Sequence, residues 1–215
     1  MKSHKTPLRY PGGKSRACTK IGQFLPNMYT YREFREPFLG GGSVAIYLTK
    51  MYPSLSIWVN DLYEPLVNFW KEIQHSGEEL CTTLTDLKLK YPNPDSAKEL
   101  FLESKEIINS QDKSKLERAV AFYVVNKCSF SGLTESSSFS AQASDSNFSM
   151  RGIEKLTGYQ EIIQDWKITN LSYEDLLTDW KNTFIYLDPP YAVSYTHLRA
   201  HETDSYLVCR LLLEK

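Results

Sequence analysis

The apolar positions of the chain follow two rhythms. Short runs rich in aromatic and β-branched residues predict buried strands at 33–37, 56–59, 166–171 and 183–187. Helical spacing predicts helices over 15–25, 44–50, 65–74, 78–91, 96–109, 113–127, 151–165 and 173–180. Pro92-Asn93-Pro94 separates two of these helices, because proline removes an amide donor and clashes with the preceding turn. The helix over 113–127 carries Ala119, Phe122, Tyr123 and Val125, and is expected to be buried. Strand, helix and strand open the chain, a block of helices follows, and two strands close it. That order predicts an α/β fold with a Rossmann-like sheet and an inserted, mainly helical subdomain. No internal repeat is visible.

Residues 129–149 break both rhythms. The stretch is rich in serine and holds Phe130, Phe139 and Phe148 at intervals. Composition alone reads as a flexible surface loop. The functional reading is a loop or hairpin that closes on an extended polymer through hydroxyls and aromatic rings.

The chemistry sits where the strands stop. Phe38-Leu39-Gly40-Gly41-Gly42-Ser43 joins the first strand to a helix, an arrangement that presents helix N-terminal amides to a ligand. The second strand ends in Asn60-Asp61. An acid about 20 residues beyond a glycine loop can accept hydrogen bonds from ribose hydroxyls. The loop lacks the third glycine of a dinucleotide site and the Gly-Lys-Ser/Thr ending of a phosphate loop, so a nucleoside without polyphosphate fits best. Tyr10-Pro11-Gly12-Gly13-Lys14 forces a turn and leaves Lys14 at a helix start. By itself this is equally a solvated helix entry or a ligand-approaching loop.

The last predicted strand runs into Asp188-Pro189-Pro190-Tyr191. Consecutive prolines cannot donate ladder hydrogen bonds, so the strand stops there. In open α/β sheets that edge binds ligands. A carboxylate, fixed carbonyls and an aromatic face suit a flat, amino-bearing ring. The ring would stack on Tyr191 and its NH2 would donate to Asp188 and a proline carbonyl.

Composition narrows the picture. A chain of 215 residues fits one domain, or one with a substantial insertion. Lys plus Arg number 25 against 26 acids, for a net charge of -1, which excludes a globally basic nucleic-acid binder but not a local patch. Lys2, Lys5, Arg9, Lys14, Arg16, Lys20, Arg32 and Arg35 make the N-terminal stretch locally basic. No apolar run is long enough to span a membrane, and the polar N-terminus has no secretory core. The 4 cysteines are scattered without a CxxC pair. Neither a zinc site nor a disulfide framework is expected, and a reducing cytoplasm is.

Three stretches in order, Tyr10-Pro-Gly-Gly-Lys14, Glu36-Pro-Phe-Leu-Gly-Gly-Gly-Ser43 and Asp188-Pro-Pro-Tyr191, resemble the Dam-like group of DNA N6-adenine methyltransferases. Arg118-Ala-Val-Ala-Phe, Asn126-Lys127 and Phe130-Ser-Gly-Leu133 are similar to the segment before that family's DNA-contacting hairpin. Lys127 and Ser131 depart from the arginine and asparagine usual there. The resemblance implies S-adenosyl-L-methionine as methyl donor and double-stranded DNA as substrate. It implies Tyr10, Lys14, Glu36, Phe38, Gly40, Gly42, Asp61 and Asp188 at the cofactor site. It implies Asp188, Pro189, Pro190 and Tyr191 at the reacting base, no metal, and a possible cognate restriction endonuclease as partner. The expected catalytic domain is 1–74 with 155–191, and the expected target-recognition insertion is 75–154.

Two other readings stand beside this one: transfer to cytosine N4, whose amino group fits the same acceptors, and a catalytically inactive DNA-binding fragment. A nucleotide-dependent oxidoreductase is a weaker third. Residues 192–215 resemble a translated sequencing-adapter read-through rather than the family. The expectation is therefore that the sheet is incomplete, that residues 1–215 as written are unstable with little activity, and that the complete gene product is active.

Overall fold

The computed structural model describes residues 5–132, 137–178 and 181–189. Helix α1 (Cys18–Gly22), strand β1 (Glu33–Glu36), helix α2 (Ser43–Met51) and strand β2 (Ser56–Asn60) come first. Then follow α3 (Glu64–Lys90), α4 (Pro94–Ile107), α5 (Lys115–Cys128), α6 (Ala141–Asn147), α7 (Met150–Glu154) and α8 (Leu156–Ile163). Strands β3 (Lys167–Thr169) and β4 (Thr183–Ile185) complete the described order.

All strand pairs are parallel, in the order β3-β2-β1-β4. Chain order runs outward from β1 through β2 to β3, then returns to the other side of β1 with β4. The strand order therefore reverses between β1 and β4, which places the ligand crevice at their carboxyl ends. Phe34 and Phe184 are paired across that junction with rings 6.3 Å apart. Tyr186 N donates to Arg35 O at 2.9 Å, carrying the ladder one residue past β4 toward Asp188.

The helices follow from their ends and their apolar faces. Ser114 and Glu117 form a reciprocal cap on α5, and Asn93 with Ser96 does the same for α4, where Pro94 suits the first turn. Residues 119–128 of α5 are all buried, as the sequence predicts. Phe69 of α3 meets Phe122 and Tyr123 of α5 at 5.4 and 5.9 Å between ring centroids. Trp70 lies 5.9 Å from Trp166, joining α3 to the approach of β3. One contiguous apolar cluster runs from the sheet through α2 and α3 into α5. Among the described residues, no helix is long and apolar enough to cross a membrane.

Several boundaries differ from the pattern-based expectation. The predicted helix over 15–25 holds only at Cys18–Gly22; Gly22 weakens it and Pro26 excludes continuation. The predicted helices 65–74 and 78–91 run together as α3, with non-helical backbone at Ser76. The region 151–165 divides into α7 and α8 at Lys155, and 173–180 forms a 3-10 helix at Tyr173–Leu177. The serine-rich stretch is not one long loop. Its described part holds a 3-10 turn, Phe130–Gly132, a bridge between Ser129 and Phe139, and α6. Ser140 caps α6 through Ala143 N, while Phe148 is buried and Phe139 packs on Phe101 at 5.6 Å. Two of the three phenylalanines are thus anchors, and Phe130 alone is 68% exposed.

Arg35 also differs from expectation. It belongs to the basic N-terminal stretch in sequence, yet it is 6% exposed. Its guanidinium donates to Leu176 O at 3.0 Å and Thr178 O at 2.5 Å and lies over the Trp58 ring at 4.7 Å. It ties the β3–β4 connection to the sheet and is withdrawn from any phosphate. Pro190, Tyr191 and the expected foreign tail, 192–215, lie outside the described residues.

Candidate active site at the strand ends

The site begins with the turn after β1. Leu39 N donates to Asn60 O, and Gly42 N to Leu39 O, both at 2.8 Å, which folds the glycine loop across the end of β2. Gly40 and Gly42 adopt positive φ of 48° and 67°. A Cβ at Gly40 would lie 2.8 Å from Tyr10 Cε1, and one at Gly42 would lie 2.9 Å from Trp70 Cζ2. Both positions need glycine, for backbone conformation and for the ring that presses on it. Trp70 Nε1 donates to Gly40 O at 3.3 Å, which fixes the loop from α3.

Asp61 holds the same loop from the other side. Gly40 N donates to Asp61 Oδ2 at 2.9 Å and Tyr63 N to Oδ1 at 3.0 Å. Burial raises the Asp61 carboxyl above its ordinary value, against the pull of the Gly40, Tyr63 and Leu62 amides. These amides do not exhaust the acceptor capacity of the carboxylate, which leaves room for a ligand hydroxyl.

Glu36 ends β1 and is 3% exposed. Helix α2 has no side-chain cap of its own, since its N-cap residue is Gly42. Glu36 Oε2 takes that place and accepts from Ala45 N at 3.1 Å. Burial raises its carboxyl well above the usual range; the nearby charges of Asp188 and Asp61 add to this, while the Ala45 amide and Lys14 oppose it. Glu36 therefore lies within reach of the acids that follow β2 and β4.

Lys14 joins the cluster from the N-terminal turn. Gly13 N donates to Tyr10 O at 3.0 Å, and the Lys14 ammonium donates to Gly12 O at 3.0 Å and Asp188 Oδ2 at 2.5 Å. Tyr10 covers the glycine loop, and Thr6 Oγ1 donates to Gly41 O. Of the residues singled out in the sequence, Tyr10, Lys14, Glu36, Gly40, Gly42, Asp61 and Asp188 converge on this one edge. Phe38 stands beside it, tilted against Tyr173 at 5.4 Å. Pro189 follows Asp188 in the described chain.

Some contributors were missed in the sequence. Asn60 is 1% exposed; its amide donates to Pro37 O and Leu171 O, and its oxygen accepts from Leu171 N and Thr169 Oγ1. It thereby draws the turn after β3, with Tyr173, against the end of β1. Asn170 Nδ2 donates to Asp61 O and Leu62 O at 2.8 and 3.0 Å. The available signal was an Asn directly before the strand-ending Asp61, and a second Asn directly after β3. Among the described residues no group of acids, cysteines and histidines could hold a metal ion, and Cys18, Cys81 and Cys128 are buried and free.

Comparison with known proteins gives the family of the chain. The family model described as D12 class N6 adenine-specific DNA methyltransferase matches residues 10–205. The type II methyltransferase M.MjaIII of Methanocaldococcus jannaschii is 25% identical over 196 residues, covering 86% of this chain and 68% of that protein. The type II methyltransferase M1.LlaDCHI of Lactococcus lactis subsp. cremoris is 26% identical over 212 residues, covering 88% of this chain and 69% of that protein. The DNA N-6-adenine-methyltransferase of Escherichia phage P1 is 30% identical over 127 residues, which is 59% of this chain but only 15% of that protein.

Proposed function

Because the chain belongs to the D12 class N6 adenine-specific DNA methyltransferase family, we propose that the edge formed by Glu36, Asp61 and Asp188 is where adenine N6 in double-stranded DNA is methylated. The observation that carries this assignment is the position of Asp188. It follows β4 at the reversal point of the strand order, within hydrogen-bond distance of Lys14, and its charge reaches Glu36.

The family implies S-adenosylmethionine as methyl donor, and the residues fit it. A surplus of acids over the single Lys14 suits a ligand carrying sulfonium and ammonium charges, and the glycine loop leaves backbone approachable. Asp61 would accept from the ribose hydroxyls, Phe38 with Tyr173 would flank the nucleoside, and Tyr10 would close over it. When bound, the donor supplies an electrophilic methyl group on sulfur.

The remaining steps belong to the chain's own residues. An adenine amino nitrogen is a poor nucleophile because its lone pair is delocalised into the ring. The Asp188 carboxylate and Pro189 carbonyl would accept hydrogen bonds from its two N–H groups, orient the nitrogen and favour tetrahedral character, and the one proton released on methylation would pass to solvent. Lys14 would hold the Asp188 carboxylate in place. The target base must leave the duplex to reach this edge, and Tyr191 would stack on the flipped ring.

Residues 1–74 and 155–191 would form the catalytic part, and 75–154 would carry target recognition. Exposed Lys5, Arg16, Lys20 and Arg32 remain for phosphates in the N-terminal stretch. Two of the relatives are named type II methyltransferases, so a cognate restriction endonuclease is the partner to look for. A DNA substrate and buried free thiols support a cytoplasmic enzyme. The test is Asp188→Ala in the complete gene product. Methyl transfer should vanish while duplex binding persists, and labelling at the parental rate would refute the assignment.

A further inference from the structure

The segment 5–14 is a strap that touches three parts of the fold. Its Thr6 and Tyr10 lie on the glycine loop, and its Lys14 reaches Asp188. Its middle is held by the end of α5. Lys127 Nζ donates to Pro7 O at 2.5 Å. Arg9 N donates to Asn126 Oδ1 at 3.0 Å, and Asn126 Nδ2 donates to Arg9 O at 2.7 Å. One side-chain amide thus pairs with both backbone groups of Arg9, as a neighbouring strand would.

The same Asn126 amide makes one more bond. Nδ2 donates to Gly132 O at 2.9 Å, at the end of the 3-10 turn that carries Phe130. Arg9 closes this junction by donating from its guanidinium to Ser129 O at 2.7 Å. Gly132, with φ of 74°, lies so close that a Cβ there would stand 2.6 Å from both Arg9 Cβ and Arg9 O. Asn126 is 0% exposed and its donors and acceptor are all engaged, so the strap and the turn cannot shift independently without stranding a buried polar group.

We propose that Asn126 is a positioning residue that couples seating of duplex DNA on the Phe130–Gly132 turn to cofactor binding under Tyr10 and Lys14. This rests on the function proposed above. Asn126 is not a catalytic residue. It acts through the strap: a duplex that fixes the turn fixes Gly132, Asn126 and Arg9, and through them the two strap residues at the cofactor edge. By linkage the cofactor should favour duplex binding to the same degree.

The experiment measures S-adenosylhomocysteine affinity by calorimetry, with and without unmethylated bacteriophage DNA, in the complete gene product. In the parent, DNA should tighten binding roughly 5-fold or more. Asn126→Ala should bring the ratio to about one, and Arg9→Met, which keeps the backbone pairing but loses the bond to Ser129 O, to an intermediate value. A purely structural role would lower the melting temperature and weaken both ligands but leave the ratio unchanged. If Asn126→Ala does not fold, Arg9→Met decides. A parental ratio of about one, or variants that keep the parent's ratio, would overturn the coupling while leaving the proposed function intact. A parent that binds neither ligand would overturn that function as well.

Discussion

Lys14 and Asp188 stand 174 positions apart in sequence and 2.5 Å apart in space. Their pairing joins the first motif of the chain to the last described one, across the reversal point of the sheet. Both side chains are about one-fifth exposed, at 23% and 18%. Because both are largely withdrawn from water, the cost of desolvating them offsets much of their attraction, and the pair should add little net stability. Its proposed worth lies in fixing the Asp188 carboxylate. Lys14→Met should lower kcat/KM about 10-fold or more, in line with loss of a charge-assisted hydrogen bond. Steady-state kinetics beside thermal unfolding would check this. A large fall in melting temperature with unchanged kcat/KM would assign the pair to folding.

Glu36 makes stability depend on pH. Its folded-state value is raised well above the ordinary one by burial. Between the two values the folded protein keeps a proton that the unfolded chain has lost. This contribution is complete below the unfolded value, near 4.3, and disappears as pH rises through the folded one. Glu36→Gln retains an oxygen for Ala45 N and cannot ionise. The variant should match the parent at acid pH and exceed it on the alkaline side of the window. Melting curves from acid to mildly alkaline pH would show it; parallel curves for the two proteins would count against a buried, neutral Glu36. Asp61 is raised in the same direction and should leave a slope of the same sign in the variant.

Much of this edge was legible in the sequence. Proline and glycine punctuate backbone geometry directly, so the ends of β1 and β4 could be read from Gly40, Gly42 and Asp188-Pro189. The end of β2 showed through Asp61. Arg35 was misread because charge normally marks solvent, and only the packed structure supplies Trp58 and the 176–178 carbonyls that hold it. The serine-rich stretch was misread for a related reason. Ser140 acts as a helix cap, and Phe139 and Phe148 find a core formed by distant helices. Asn126 stood at the end of an apolar helical run, but its partners at Arg9 lie 117 residues away, beyond any local pattern.

The glycine loop gives a third test. Gly40→Ala would place a methyl group against the Tyr10 ring in a backbone conformation with φ of 48°. Strain of this kind costs about 1–3 kcal/mol. The variant should lose stability and bind S-adenosylhomocysteine more weakly, because the loop and Tyr10 are displaced together. Unchanged affinity in a folded variant would remove Tyr10 and Gly40 from the cofactor site.

Phe130 gives a fourth. An aromatic ring 68% exposed beside a rigid turn contributes little to folding. Phe130→Ala should leave the melting temperature and the affinity for S-adenosylhomocysteine alone, while weakening duplex binding by about 1–3 kcal/mol if the ring stacks on a base. Fluorescence anisotropy with labelled duplex would measure it, and equal affinity would place the DNA elsewhere.

Adenine N6 as the atom that receives the methyl group and Asp188 as the carboxylate that directs it can be tested together. The complete gene product should be incubated with S-adenosylmethionine and unmethylated duplex DNA, and the DNA digested to nucleosides for mass spectrometry. The parent should yield N6-methyladenine, and Asp188→Ala should yield none at equal duplex binding. N4-methylcytosine as the product, or N6-methyladenine formed equally by both proteins, would contradict this assignment.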